Sequence, residues 1–165
     1  MKPADIPALP GSYALVLRLQ HPINLPVGRV GVFTFPPADY VYFGSACGPG
    51  GLRARLQRHL LGSVHPHWHI DFFRNASTLH SVFFLPAHSL PASSLVSLEC
   101  TWSQAAATAL SAFIAAPGFG ASDCRHGCPA HLVGLAELPV SLAAWLSAAA
   151  GVPETAIQSV SILRA

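Results

Sequence analysis

The first clear pattern along the chain is the alternation Tyr13-Ala-Leu-Val-Leu-Arg-Leu19, which predicts a β-strand carrying Tyr13, Leu15, Leu17 and Leu19 on one face. Arg29 to Phe35 predicts a second strand. Pro36-Pro37-Ala38-Asp39 turns the chain, and Tyr40 to Ser45 predicts a third. These three form a small antiparallel sheet as the expected core. Gly48-Pro-Gly-Gly51 then breaks the strand period. Leu52, Leu56 and Leu60 fall at i, i+4 and i+8, predicting a helix over 52–61 that Gly62 stops. A His-rich connection and a short strand near Ser81 to Leu85 follow. Pro91-Ala-Ser-Ser94 begins a predicted long helix, with Ser93 or Ser94 as its N-cap, that runs to just before Pro117-Gly118. A Gly/Cys/His loop (Gly118 to Pro129), a strand near His131 to Leu135 and a helix around Leu142 to Ala149 complete the chain. The order predicts an α+β fold, a small antiparallel sheet of three core strands flanked by helices.

Length changes this picture little: 165 residues make one domain, 1–165, with a core over about 11–135 and a C-terminal helical extension over 136–165. Apolar residues make up 52% of the chain and charged ones only 10%, which excludes a disordered chain. A net charge of +2 and a pI near 8.5 give no global positive field, so any polyanion site must be local. Met1 to Pro10 lacks the apolar run of a secretion signal, and no stretch is long and apolar enough to span a bilayer. A cytoplasmic protein with no membrane partner is the expectation. Cys47, Cys100, Cys124 and Cys128 are then packing residues, metal ligands or spare thiols, not a disulfide scaffold.

Candidate chemistry begins with Glu99. At about 100° per residue, Leu95, Trp102, Ala106, Leu110 and Phe113 share one stripe of the long helix, and Glu99 lies in the middle of it. A carboxylate placed there must be protonated, paired with an arginine or bound to a metal. Arg55 and His59, at i and i+4, sit beside the leucine stripe of the preceding helix, at the edge of the core. Arg53 to Arg74 holds four of the eight arginines and four of the nine histidines against the single acid Asp71, which is the local basic patch. Tyr13 and Tyr42 stand near Gly11 and Gly44 on predicted strands. A phenol there can orient water or a phosphate oxygen, and can act in acid–base chemistry if its pKa is lowered.

Gly-Ser-Tyr13 opening a strand, Tyr42-Phe-Gly44-Ser45 ending another, Leu52-Arg-Ala-Arg55-Leu-Gln-Arg58-His59 on a helix and a helix-borne Glu99 resemble, in order and context, the GIY-YIG endonuclease superfamily. The similarity spans Gly11 to about Gln104. The remainder, with His67-Trp-His69-Ile-Asp71 and Gly118-Phe-Gly-Ala-Ser-Asp-Cys124, resembles an uncharacterised branch that in archaea is also fused to an endonuclease-three-type repair glycosylase. The resemblance implies a phosphodiester hydrolase acting on DNA, with a DNA-repair enzyme as a partner. It implies that Tyr13 and Tyr42 are the signature tyrosines, that Arg55 grips the scissile phosphate with Arg53 as the competing alignment, and that His59 assists proton transfer. It implies that Glu99 holds one divalent cation, Mg²⁺ or Mn²⁺. Substrate contacts would come from Gly44, Ser45, Arg53, Arg58, His67 and His69. The place of the family's asparagine falls to Ser122, Asp123 or His131, and the 28 residues between the two tyrosines imply an inserted loop.

Two features stand apart from that resemblance. Cys124-x3-Cys128-x2-His131 has loose zinc spacing, with His126 or Cys100 as the fourth ligand, and competes with a reading as ordinary loop and core residues. His65-x-His67-x-His69 reads as a solvated or phosphate-facing run beside Trp68, a residue able to stack on a base. Two function classes follow: a metal-dependent endonuclease, or a nucleic-acid-binding module with a degenerate active site, zinc-stabilised or not. Glu99 favours the enzyme, because a binding module gains nothing from a carboxylate on a helix's apolar face.

Overall fold

The computed structural model describes residues 5–27, 31–90, 98–109 and 111–162. The sequence readings at Arg29, at the Pro91–Ser94 helix start and at Leu95 and Leu110 lie outside them. The chain builds one antiparallel sheet of six strands: β1 (Gly11–Leu19), β4 (Ala38–Ser45), β5 (Thr78–Pro86), β6 (Ala112–Phe113), β7 (Leu132–Leu135) and β8 (Gln158–Ser161). Their spatial order is β6-β7-β4-β1-β5-β8. The α+β class holds, but the strand partners differ from those predicted. Gly31–Phe35 (β3) does not join the main sheet; it pairs with Ile23–Val27 (β2) in a separate hairpin. That hairpin takes up the long spacing between Tyr13 and Tyr42, so β1 and β4 still meet directly.

β1 is central and buried on both faces, and its alternation sorts its side chains into two cores. Tyr13, Leu15, Leu17 and Leu19 pack with Leu52 and Leu56 of α1 (Gly51–Leu61), and with Ile70 and Phe73 of α2 (His69–Ala76). Ala14 and Val16 pack on the other face with Leu98, Trp102 and Ala106 of α3 (Leu98–Ala107) and Leu146 of α4 (Leu142–Ala150). The sheet therefore lies between two helical layers.

Helix α2 occupies what the sequence reads as a His-rich connection. Buried Asp71 makes it possible: its Oδ2 accepts the backbone N–H groups of His67 (2.9 Å) and Trp68 (3.1 Å), satisfying donors at the helix start. The expected long helix to Pro117 is instead α3 followed by β6. Phe113 lies against Gly134 of β7, where any Cβ would strike its ring, so packing draws this residue out of helix and into the sheet. In the segment 136–165, α4 is helical as expected, capped by Ser141 and by Gly151 in left-handed backbone. The same segment also supplies β8, which pairs with β5 at the sheet edge, so it is part of the sheet and not only a helical extension.

Candidate active site

Strand register places the first pair of residues. Tyr13 of β1 stands opposite Gly44 of β4, and a Cβ built on Gly44 would lie 2.5 Å from the Tyr13 ring and hydroxyl. Only a glycine lets the phenol lie flat over the neighbouring strand. Gly44→Ala is expected to cost about 1–3 kcal/mol through overpacking, read as a lower urea midpoint at unchanged slope. An unchanged midpoint would mean that Tyr13 has room to move.

Tyr13 and Tyr42 are neighbours, with ring centroids 6.4 Å apart. The Tyr13 hydroxyl lies 2.9 Å from His59 Nε2, within the buried layer between β1 and α1. Burial raises the Tyr13 pKa well above its usual value and pushes Tyr42 to about 12, although Arg55 works against both shifts. The lowered phenol pKa that would make either tyrosine a base in its own right is therefore not found. Burial, aided by Arg55, brings His59 down from 6.5 to about 4. Its imidazole is neutral at pH 7; in the tautomer protonated at Nδ1, Nε2 accepts the Tyr13 proton in a hydrogen bond, and Nδ1 has no protein partner among the described residues.

This histidine carries a sign-determined prediction. Its folded pKa is depressed, so on acidification the unfolded chain takes up the proton first, and stability is lost as pH falls from about 6.5 towards 4. The whole span is worth up to about 3 kcal/mol. His131, also lowered by burial, acts in the same direction, so the His59 share is the difference between native protein and His59→Gln. Equal pH slopes in urea unfolding of the two would remove His59 from the account.

Helix α1 supplies the cations. The Arg55 guanidinium lies over the Trp68 ring at 4.1 Å and Arg58 approaches the same ring at 4.5 Å. Arg58 is further tied to Asp71 at 2.6 Å, a buried anchor on α2. Arg55 makes no hydrogen bond or ion pair to another described residue, so its planar fork of donors is open to a ligand. Arg53 instead donates Nε to the Ile6 carbonyl at 2.8 Å and does not line the cavity.

These groups enclose a polar cavity of about 230 Å³. Tyr13, Tyr42, Arg55 and Glu99 line it together with Gly44, Ser45 and Trp68, and with Asp123 and His131. Glu99 does lie on the inward side of α3, as its place among Leu98, Trp102 and Ala106 requires. It belongs to the first turn, however, where the cavity and not the core faces it, so it is half-buried instead of immersed in apolar contacts. No arginine pairs with it among the described residues; Arg18 pairs with Asp39 and Arg58 with Asp71.

The remaining predicted contacts are not all in this cavity. His67 is exposed and packs edge-on against Trp68. His69 accepts the Gly120 N–H through Nδ1 at 3.4 Å and packs on Phe119, so it braces the loop after β6. Of the three stand-ins for an asparagine, Asp123 and His131 line the cavity, whereas Ser122 is exposed and does not. Trp68 joins the site as a platform for the arginines, and its aromatic type next to the basic patch was the signal for it.

A second cluster sits behind the cavity wall. Cys100, Cys124, Cys128 and His131 bring their ligating atoms within 4.8 Å of one another, a Cys₃His set that could hold a metal ion. Cys100, and not His126, completes it.

An α+β protein with a central antiparallel sheet and a polar cavity of tyrosine, arginine and carboxylate is thus the class that fold and site define. Residues 12–151 match the family described as "Domain of unknown function DUF123", and the chain belongs to that family. No curated protein and no solved structure matches the chain. No helix among the described residues is long and apolar enough to cross a membrane.

Proposed function

We propose that the cavity is the active site of a metal-dependent endonuclease of GIY-YIG type that hydrolyses phosphodiester bonds in DNA. The observation that carries this reading is the pairing of opposites left unpaired: Arg55 and Glu99 share one polar cavity, yet neither forms an ion pair with another described residue. Two uncompensated charges of opposite sign suit a ligand that is itself anionic and brings a cation with it. The ordered match of Tyr13, Tyr42-Phe-Gly44, Arg55 and Glu99 to the nuclease signatures supports the same conclusion.

The residues divide the chemistry as follows. Arg55, stacked over Trp68 at 4.1 Å, offers a bidentate fork to two oxygens of the scissile phosphate. Arg58, anchored on Asp71, adds positive potential behind it. With His59 protonated at Nδ1, the Tyr13 hydroxyl donates to Nε2 and keeps its oxygen lone pairs free to orient an attacking water. As that water loses a proton to Tyr13, the phenol proton moves to His59 Nε2; a bound phosphate's negative charge makes the imidazolium more accessible than it is in the empty cavity. Glu99 and Asp123, both lining the cavity, offer the hard oxygen donors that Mg²⁺ or Mn²⁺ prefers, and neither acid is committed to another described residue. A cation bound there supplies Lewis-acid stabilisation of the charge that develops on the phosphoryl and leaving oxygens.

The test is cleavage of end-labelled single- and double-stranded DNA with Mg²⁺ or Mn²⁺, against a chelator control. Metal-dependent cutting is expected. Salt-sensitive DNA binding without cutting by the native protein would replace the enzyme with a binding module.

A further inference from the structure

The loop between β6 and β7 has almost no regular structure, yet it forms one wall of the cavity through Gly120, Asp123 and His131. Its backbone is tied by isolated bonds, such as Gly118 N–H to the Pro129 carbonyl (2.7 Å) and His131 N–H to the Phe119 carbonyl (2.7 Å). Apart from Ala116, Phe119, Ala130 and His131, this loop buries little. Such a segment needs another device to hold a fixed shape.

We infer that Cys100, Cys124, Cys128 and His131 bind a structural zinc ion that fastens this loop to the first turn of α3. Four residues from two distant stretches converge, with every pair of ligating atoms within 4.8 Å. The internal spacing fits zinc. Bonds of about 2.3 Å in a tetrahedron put neighbouring sulfurs about 3.8 Å apart. The Cys100 and Cys124 sulfurs are 3.6 Å apart, and Cys100 Sγ lies 3.7 Å from His131 Nε2. A disulfide is not the match, because it needs about 2.05 Å between sulfurs.

One of the three sulfurs also has a backbone donor. The His126 N–H points at Cys124 Sγ at 3.4 Å, a backbone donor placed to stabilise a sulfur anion. Gly127, in left-handed backbone at φ 73°, turns the chain so that Cys124 and Cys128 face the same point. Three thiolates and one imidazole in a closed, four-coordinate set mark a structural site and not a catalytic one.

The consequence for the cavity is direct. Cys100 is the residue after Glu99, and His131 and Asp123 come from the tethered loop. The zinc therefore holds the acidic wall in place against the Tyr13–Arg55 wall, which the sheet and α1 already fix. The metal assignment itself does not depend on the nuclease reading, and its test needs no activity.

The protein should be purified under reducing conditions without added metal, and its zinc measured by elemental mass spectrometry. The same protein, stripped and refilled with Co²⁺, reports the ligands through its visible spectrum. One zinc per chain is expected, with the cobalt form showing thiolate charge-transfer bands and the intense absorption of a tetrahedral ion. Cys100→Ser, Cys124→Ser and Cys128→Ser should each lose most of the zinc, whereas Cys47→Ser and Glu99→Gln should retain it. A native protein with no stoichiometric zinc and no cobalt–thiolate bands overturns the assignment, as does full retention in all three serine variants. Detection of a native Cys100–Cys124 disulfide by mass spectrometry overturns it too. Should the serine variants fail to fold, the native cobalt spectrum still decides.

Discussion

Glu99→Gln is expected to remove metal-dependent cleavage by about 10³-fold or more while leaving the fold intact. The size follows from what the carboxylate is asked to hold: a cation's stabilisation of the transition state is worth several kcal/mol, and each 1.4 kcal/mol or so is tenfold in rate. The unchanged fold follows from the geometry, since Glu99 is half-buried at the cavity and has no ion-pair partner among the described residues. Glutamine keeps its shape and removes only its charge. Stability should therefore stay within about 0.5 kcal/mol of the native value. The two measurements, cleavage rate across a Mg²⁺ titration and urea midpoint, separate the competing roles. A variant that unfolds easily but cuts normally would show that Glu99 belongs to a structural ion pair after all.

Arg55→Ala carries the second large effect, again about 10³-fold in cleavage, by analogy with the loss of an arginine that clamps a transferring phosphoryl group. Its fork of donors is open to the cavity, and the guanidinium lies over the Trp68 ring. Arg55→Lys should recover only a small part, because an ammonium cannot bind two phosphate oxygens in a plane. Arg53→Ala is the internal control. Arg53 is occupied by the Ile6 carbonyl and lies off the cavity, so its loss should leave cleavage within a few-fold of native and cost some stability instead. Equal losses in the two alanine variants would mean that the arginine alignment is still open.

Much of this site can be read along the chain because its parts lie on elements with strong local patterns. The Tyr13-to-Leu19 alternation, the leucine spacing of α1 and the Gly62 stop are short-range signals, and they put Tyr13 on β1 and Arg55 and His59 on α1. What failed was partner choice. β3 alternates well enough to be a strand, but nothing local says that it pairs with Ile23–Val27 and not with β4. The spacing of Phe113 from Trp102 and Ala106 suits a helix, whereas contact with Gly134, far along the chain, decides its strand state. Helix α2 was missed because two buried apolar residues, Ile70 and Phe73, make a faint stripe among histidines; the capping acid three residues after Trp68 was the better clue. Cys100 could join the Cys/His loop only once the fold brought α3 alongside it.

The way Tyr13 is held gives its position a discrete character. Its hydroxyl is set by strand register, with Gly44 opposite on one side and Phe84 on the other. A side chain on a loop can drift by fractions of an ångström and lose function gradually. Here the nearest alternative is a slip of one residue, which would set Ser12 or Ala14 against Gly44 and turn the phenol to the opposite layer. Mutations that weaken this part of the sheet should therefore divide the molecules into a correctly assembled fraction and an inert one, and leave no population of slightly misaimed ones.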